Sequence, residues 1–102
     1  MARFEVYGNN SDKSADAPFL LDVQSDVLNG LDSRIVVPLR RRDRFRAISL
    51  PANLMPVLDI DGVEYVLEMP ELAAVPVRIL TEPVTSLEAL RFEIRAALDF
   101  LF

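Results

Sequence analysis

Asp61-Gly62 falls between two apolar runs, Val57-Leu58-Asp59-Ile60 and Val63-Glu64-Tyr65-Val66-Leu67. A two-residue type I′ turn needs positive φ at both central positions, and Asp-Gly is among the few pairs that tolerate this. The stretch is therefore predicted to be a tight β-hairpin. In its register Ile60 faces Val63, Leu58 faces Tyr65 and Asp59 faces Glu64. Like charges directly opposite are unfavourable by a fraction of a kcal/mol. Such a pair could be a metal site or an acid/base couple with one raised pKa. No third ligand type is near in sequence, so an exposed pair screened by water is the preferred reading.

Upstream, Phe4, Val6 and Tyr7 alternate with Glu5 and predict a first strand. Phe19 to Val23 predicts a second strand and Arg34 to Leu39 a third. The β-branched run Ile35-Val36-Val37 suits a central position, while Pro38 implies an edge or a bulge. Gly8 to Ser14 is a polar loop or long hairpin tip, Asp26 to Ser33 is a turn, and Ser49 to Asn53 breaks the chain again. Pro70 to Ala74 is at most a helical turn. Val75 to Leu80 predicts a last strand, with Pro76 at an edge or bulge, and Glu82-Pro83-Val84 leads out of it. There is no internal repeat.

The end of the chain changes period. Thr85 and Glu88, three apart, match a capping box at a helix start. Leu87, Leu90, Ile94, Ala97 and Leu101 then recur at gaps of three and four, as one helical face does. At 1.5 Å per residue, about seventeen helical residues span roughly 25 Å. Glu88 precedes Arg91 by three, a pair worth a few tenths of a kcal/mol. The last residues are Asp99-Phe100-Leu101-Phe102. Two aromatics at a terminus that would ordinarily fray call for burial, on the barrel, on a dimer mate or on another protein. Five or six short strands with one helix last suggest a small antiparallel barrel or curled sheet carrying that helix.

Composition narrows the chemistry. At 102 residues the chain is one domain, 1–102, and its 51% hydrophobic content excludes disorder. No run approaches a membrane span. The stretch Met1 to Glu5 lacks a signal-peptide core, so a cytoplasmic protein is expected. There is no His and no Cys, which removes the commonest general base, the commonest zinc ligand and any thiol nucleophile. Three scattered glycines do not make a phosphate-cradling loop. A net charge of −5 argues against broad nucleic-acid binding. No catalytic residue, metal or cofactor is assigned. Within this acidic chain, Arg40, Arg41, Arg42, Arg44 and Arg46 make up five of the eleven basic residues. Such a segment suits one acidic partner or a phosphate backbone, unless it is simply solvated.

Several blocks, taken together, resemble the CcdB family of bacterial toxins. They are Leu21-Asp22-Val23-Gln24-Ser25-Asp26-Val27-Leu28, Arg34-Ile35-Val36-Val37-Pro38-Leu39, Met55-Pro56-Val57-Leu58-Asp59-Ile60, Ala73-Ala74-Val75-Pro76-Val77 and the terminal helix. Phe4-Glu5-Val6-Tyr7 fits the family's first strand. The likeness covers nearly the whole chain, is weakest over Gly8 to Pro18, and does not extend to the Arg-rich segment. It implies a mainly β fold, a homodimer of SH3-like barrels related to MazF, each with a C-terminal helix. It also implies the toxin of a type II toxin–antitoxin module, serving plasmid maintenance. Such a toxin traps DNA gyrase through its A subunit and is neutralised by a CcdA-like antitoxin with a disordered tail. Operator DNA is reached only through that complex, as a co-repressor.

By the same resemblance, gyrase contacts fall on Val27 and Leu28 and on Asp99 and Phe102. The Arg40 to Arg46 segment would meet the antitoxin. After the matching Phe, family members end in Trp-Gly-Ile, whereas this sequence stops at Phe102. A lost terminal Trp costs roughly 2 kcal/mol or more, about thirtyfold in affinity. Two other readings follow. One is a MazF-like endoribonuclease using Arg34, the Arg cluster, Asp59 and Glu64. The other is a gyrase-inactive relative that still binds antitoxin.

Overall fold

The computed structural model describes residues 2–12, 14–25, 30–45 and 51–102. Among these residues seven strands precede one helix: β1 (Glu5–Asn9), β2 (Phe19–Asp22), β3 (Ser33–Arg41), β4 (Val57–Ile60), β5 (Val63–Leu67), β6 (Ala73–Pro76), β7 (Leu80–Ser86) and α1 (Arg91–Leu101). All pairings are antiparallel, in the order β4-β5-β3-β2-β1-β7, with β6 also on β3.

The nine-residue β3 organises the sheet, as its β-branched centre led one to expect. One edge pairs with β2; the other pairs with β6 through Ser33 to Val36 and with β5 through Leu39 to Arg41. Pro38 sits at the gap between those two partners, where its missing N–H is not needed. Its carbonyl accepts from the Glu68 N–H at 3.0 Å. The proline thus marks a change of partner within a central strand rather than an outer edge.

Because side chains alternate along a strand, the curled sheet has two packed faces. Toward the helix lie Val6, Leu21, Val37, Leu39, Leu58, Ile60, Leu67 and Met69, under Ile94 and Ala97 of α1. On the other face Tyr7, Leu20, Asp22, Arg34 and Val36 are buried as well. A single 3₁₀ turn, Val77–Ile79, carries the chain from β6 beside β3 to β7 beside β1. Its ends are held by the Val77 N–H donating to the Asp32 carbonyl and by the Asn10 N–H donating to the Ile79 carbonyl, both 2.9 Å. That crossing turns the sheet into a half-barrel.

Inside the half-barrel Arg34 and Asp22 form an ion pair at 2.6 Å, with side chains 2% and 0% exposed. Asp22 Oδ2 also accepts from Arg34 Nε at 2.8 Å, and its Oδ1 accepts from the Gln24 N–H at 2.9 Å. Gln24 Oε1 in turn accepts from the Ile35 N–H at 3.0 Å. Buried charges survive only when paired and hydrogen-bonded, and this network supplies both conditions.

The predicted hairpin is present with the expected register, including Asp59 opposite Glu64, and Asp61 and Gly62 have φ of 53° and 84°. The C-terminal region departs from expectation. Thr85 lies in β7 opposite Val6, so the Thr85–Glu88 capping box does not form. The Glu88 N–H bonds instead to Ser86 Oγ at 3.2 Å. A 3₁₀ turn, Glu88–Leu90, precedes an α1 of 11 residues, shorter than the predicted helix. The apolar face is nevertheless the predicted one: Leu87, Ile94 and Ala97 are buried, and Leu90 and Leu101 pack against the same core. Val75 to Leu80 is not one strand, and residues 80–86 pair with β1 through two register shifts around the Tyr7–Pro83 match.

Replacing Arg34 with Met strands the Asp22 carboxylate and is expected to cost about 3–5 kcal/mol in urea unfolding. Adding Asp22→Asn should recover more than half of that loss. Equal losses in the single and double variants would show that the ion pair is not what the two side chains contribute.

Candidate functional site

α1 commits one side to the core and leaves the other bare. Phe92, Ala96 and Phe100 recur every four residues along the outer side, and Phe92 and Phe100 are 67% and 62% exposed. Asp99 is exposed beside them, and Phe102, just past the last helical residue, is 89% exposed. The terminal aromatics are therefore not buried on their own domain. Arg91 lies over the Phe92 ring at 4.7 Å and makes the expected pair with Glu88 at 3.7 Å. Val27 and Leu28, the other two residues assigned to the same surface, lie outside the described residues, as does Arg46.

The Arg-rich segment is divided in its commitments. Arg40 is half-buried, reaches Glu68 at 3.2 Å and lies over the Phe45 ring at 5.6 Å. Arg41 pairs with Asp43 at 2.9 Å in solvent. Arg42 and Arg44, in the 3₁₀ turn Arg42–Arg44 that follows β3, have no acidic partner among the described residues. The segment thus offers two open cations at its tip, while Arg40 belongs to the fold.

Of the groups an endoribonuclease would need, Arg34 is locked inside the half-barrel by Asp22. Asp59 and Glu64 are exposed on the β4–β5 hairpin, and Asp59 Oδ1 accepts from the Gly62 N–H at 3.0 Å, an ordinary turn contact. Glu64 does share a shallow groove with Arg41, Arg42 and Phe45. The deeper acid is one that no motif singled out. Glu68 is 8% exposed, and burial, the largest effect, raises its carboxyl above the ordinary 4.5. Arg40 opposes the rise, while Glu71 and Asp16 add to it. A single acid between the hairpin and a Met-Pro pair carries no periodic signal, so only the folded chain reveals it.

A family model described as CcdB protein matches residues 3–102. The chain belongs to the CcdB family. Membership makes it a toxin of a toxin–antitoxin system, from a family whose members poison DNA gyrase rather than act as enzymes in the ordinary sense. The curled antiparallel sheet with one C-terminal helix is consistent with the CcdB fold. Among the described residues, no helix is long and apolar enough to cross a membrane.

The raised Glu68 carboxyl sets a pH dependence. Because it holds its proton more tightly folded than unfolded, its stabilising contribution is full below the ordinary 4.5 and disappears as pH climbs through its own higher value. Urea unfolding of the wild type should therefore lose stability over that rise relative to Glu68→Gln. Parallel pH profiles for the two proteins would exclude Glu68 as the titrating group.

Proposed function

We propose that this CcdB-family toxin traps DNA gyrase by binding its A subunit with the exposed end of α1, together with Val27 and Leu28. The observation that carries this reading is the bare apolar stripe of Phe92 and Phe100, with exposed Phe102 just beyond it, on a helix whose opposite side is fixed in the core. Burying one Phe side chain is worth about 1.5–3 kcal/mol, so a few such rings suffice to anchor a helix tip in a partner. No bond is made or broken by the toxin itself. It acts in the cytoplasm as a homodimer, which presents two such tips.

Neutralisation follows from the other pole of charge. A CcdA-like antitoxin with a disordered acidic tail would meet Arg41, Arg42, Arg44 and Arg46, and would order on binding. Operator DNA is engaged only by the toxin–antitoxin complex, since the toxin alone is acidic.

A supercoiling and cleavage-complex assay tests the main proposal. Phe102→Ala and Val27→Asp should each weaken gyrase trapping by about tenfold or more, with the protein still folded. Trapping equal to wild type in both variants would move the contact surface elsewhere. Cleavage of single-stranded RNA by the purified chain would favour the endoribonuclease, and antitoxin binding without any effect on gyrase would favour an inactive relative.

Antitoxin affinity should fall steeply as salt rises, and Arg41→Ser, Arg42→Ser and Arg44→Ser combined should flatten that dependence. Affinity that ignores salt would remove the Arg segment from the interface.

A further inference from the structure

The half-barrel leaves a cleft, about 370 Å³, on the sheet face away from α1. Its floor is apolar, made by Leu20, Val36, Pro38, Ala73 and Val75. Among the described residues its rim carries Asp16, Glu68 and Glu71 against one cation, Arg40, which Glu68 and the Phe45 ring already engage. Its described residues are therefore short of positive charge by two, counting three carboxylates against one guanidinium. No group of three acidic side chains among the described residues is placed to hold a metal ion, so the negative charge is spread along the rim rather than focused at a point.

We propose that this cleft receives an arginine or lysine side chain of a partner polypeptide, with its aliphatic stem on Leu20, Val36 and Val75 and its charged head at the rim. Long basic side chains divide in this way, stem against apolar surface and head toward charge or water. The cleft is at the small end of ligand-sized pockets, suited to one long side chain. A purely apolar side chain would leave the carboxylates of the rim uncompensated, and an acidic one would be repelled by all three. The proposal is independent of the gyrase surface proposed on α1.

The test is a titration of ¹⁵N-labelled protein, followed by backbone amide shifts, with arginine capped as its N-acetyl methylamide. Shifts should concentrate at Leu20, Val36, Glu71 and Val75. Capped norleucine, which keeps the stem without the charge, should bind at least about fivefold more weakly. Glu71→Gln and Asp16→Asn, both at exposed positions and so safe for folding, should each weaken capped arginine by about threefold. Norleucine binding as tightly as arginine, unchanged affinity in both variants, shifts confined to other surfaces, or no shifts at all would each overturn the proposal. Agmatine binding about tenfold tighter than capped arginine would also overturn it, by pointing to a free small cation instead of a polypeptide.

Discussion

The buried contact between Asp22 and Arg34 constrains the rest of the structure more than any apolar cluster does. Desolvating two charges is unfavourable unless geometry and hydrogen bonding compensate, and here both side chains are almost fully enclosed with short contacts. The contact also defines register. With Asp22 and Arg34 on the second face, strand alternation sends Leu21, Val37 and Leu39 to the helix side. A slip of one residue in β2 or β3 would separate the charges and turn one of them into the apolar core beneath Ile94. The pairs Leu20 with Pro38 and Asp22 with Val36 are the register that avoids this.

From that arrangement follows the division of surfaces. The helix face of the sheet is saturated by Ile94, Ala97 and their neighbours, so α1 is held rigidly along its inner side. Its outer aromatics are then presented by a fixed scaffold rather than a mobile tail, which lowers the ordering cost of binding. The chain passing through Val77–Ile79 covers the opposite face incompletely, and the cleft is what remains. The cationic turn after β3 adjoins the cleft, since Arg40 at the rim lies over the Phe45 ring that ends the turn.

Much of the fold was legible along the chain. Asp61-Gly62 carries its own turn geometry, so the hairpin and its register followed from the four positions before it and the five after it. The inward face of the terminal segment was equally readable from its spacing. Its start was not, because the same Thr85 that would cap a helix is taken by strand pairing with Val6, about eighty residues away in sequence. The strand at 80–86 escaped notice for a related reason. Pro83 and Val84 show no clean alternation, and a bulged edge needs none.

Local chemistry in the sequence settled the tight turn, the position of the helix after the strands, its buried stripe and, through its motifs, the CcdB family. Tertiary structure alone decided which charges are spent and which are free. Arg34 and Arg40 are indistinguishable from Arg42 in composition, yet one is sealed against Asp22, another leans on Glu68, and the third, half-buried, has no acidic partner among the described residues. The physical reason is that a charge's role depends on the dielectric and the partners around it, and those partners arrive from distant strands only when the sheet closes.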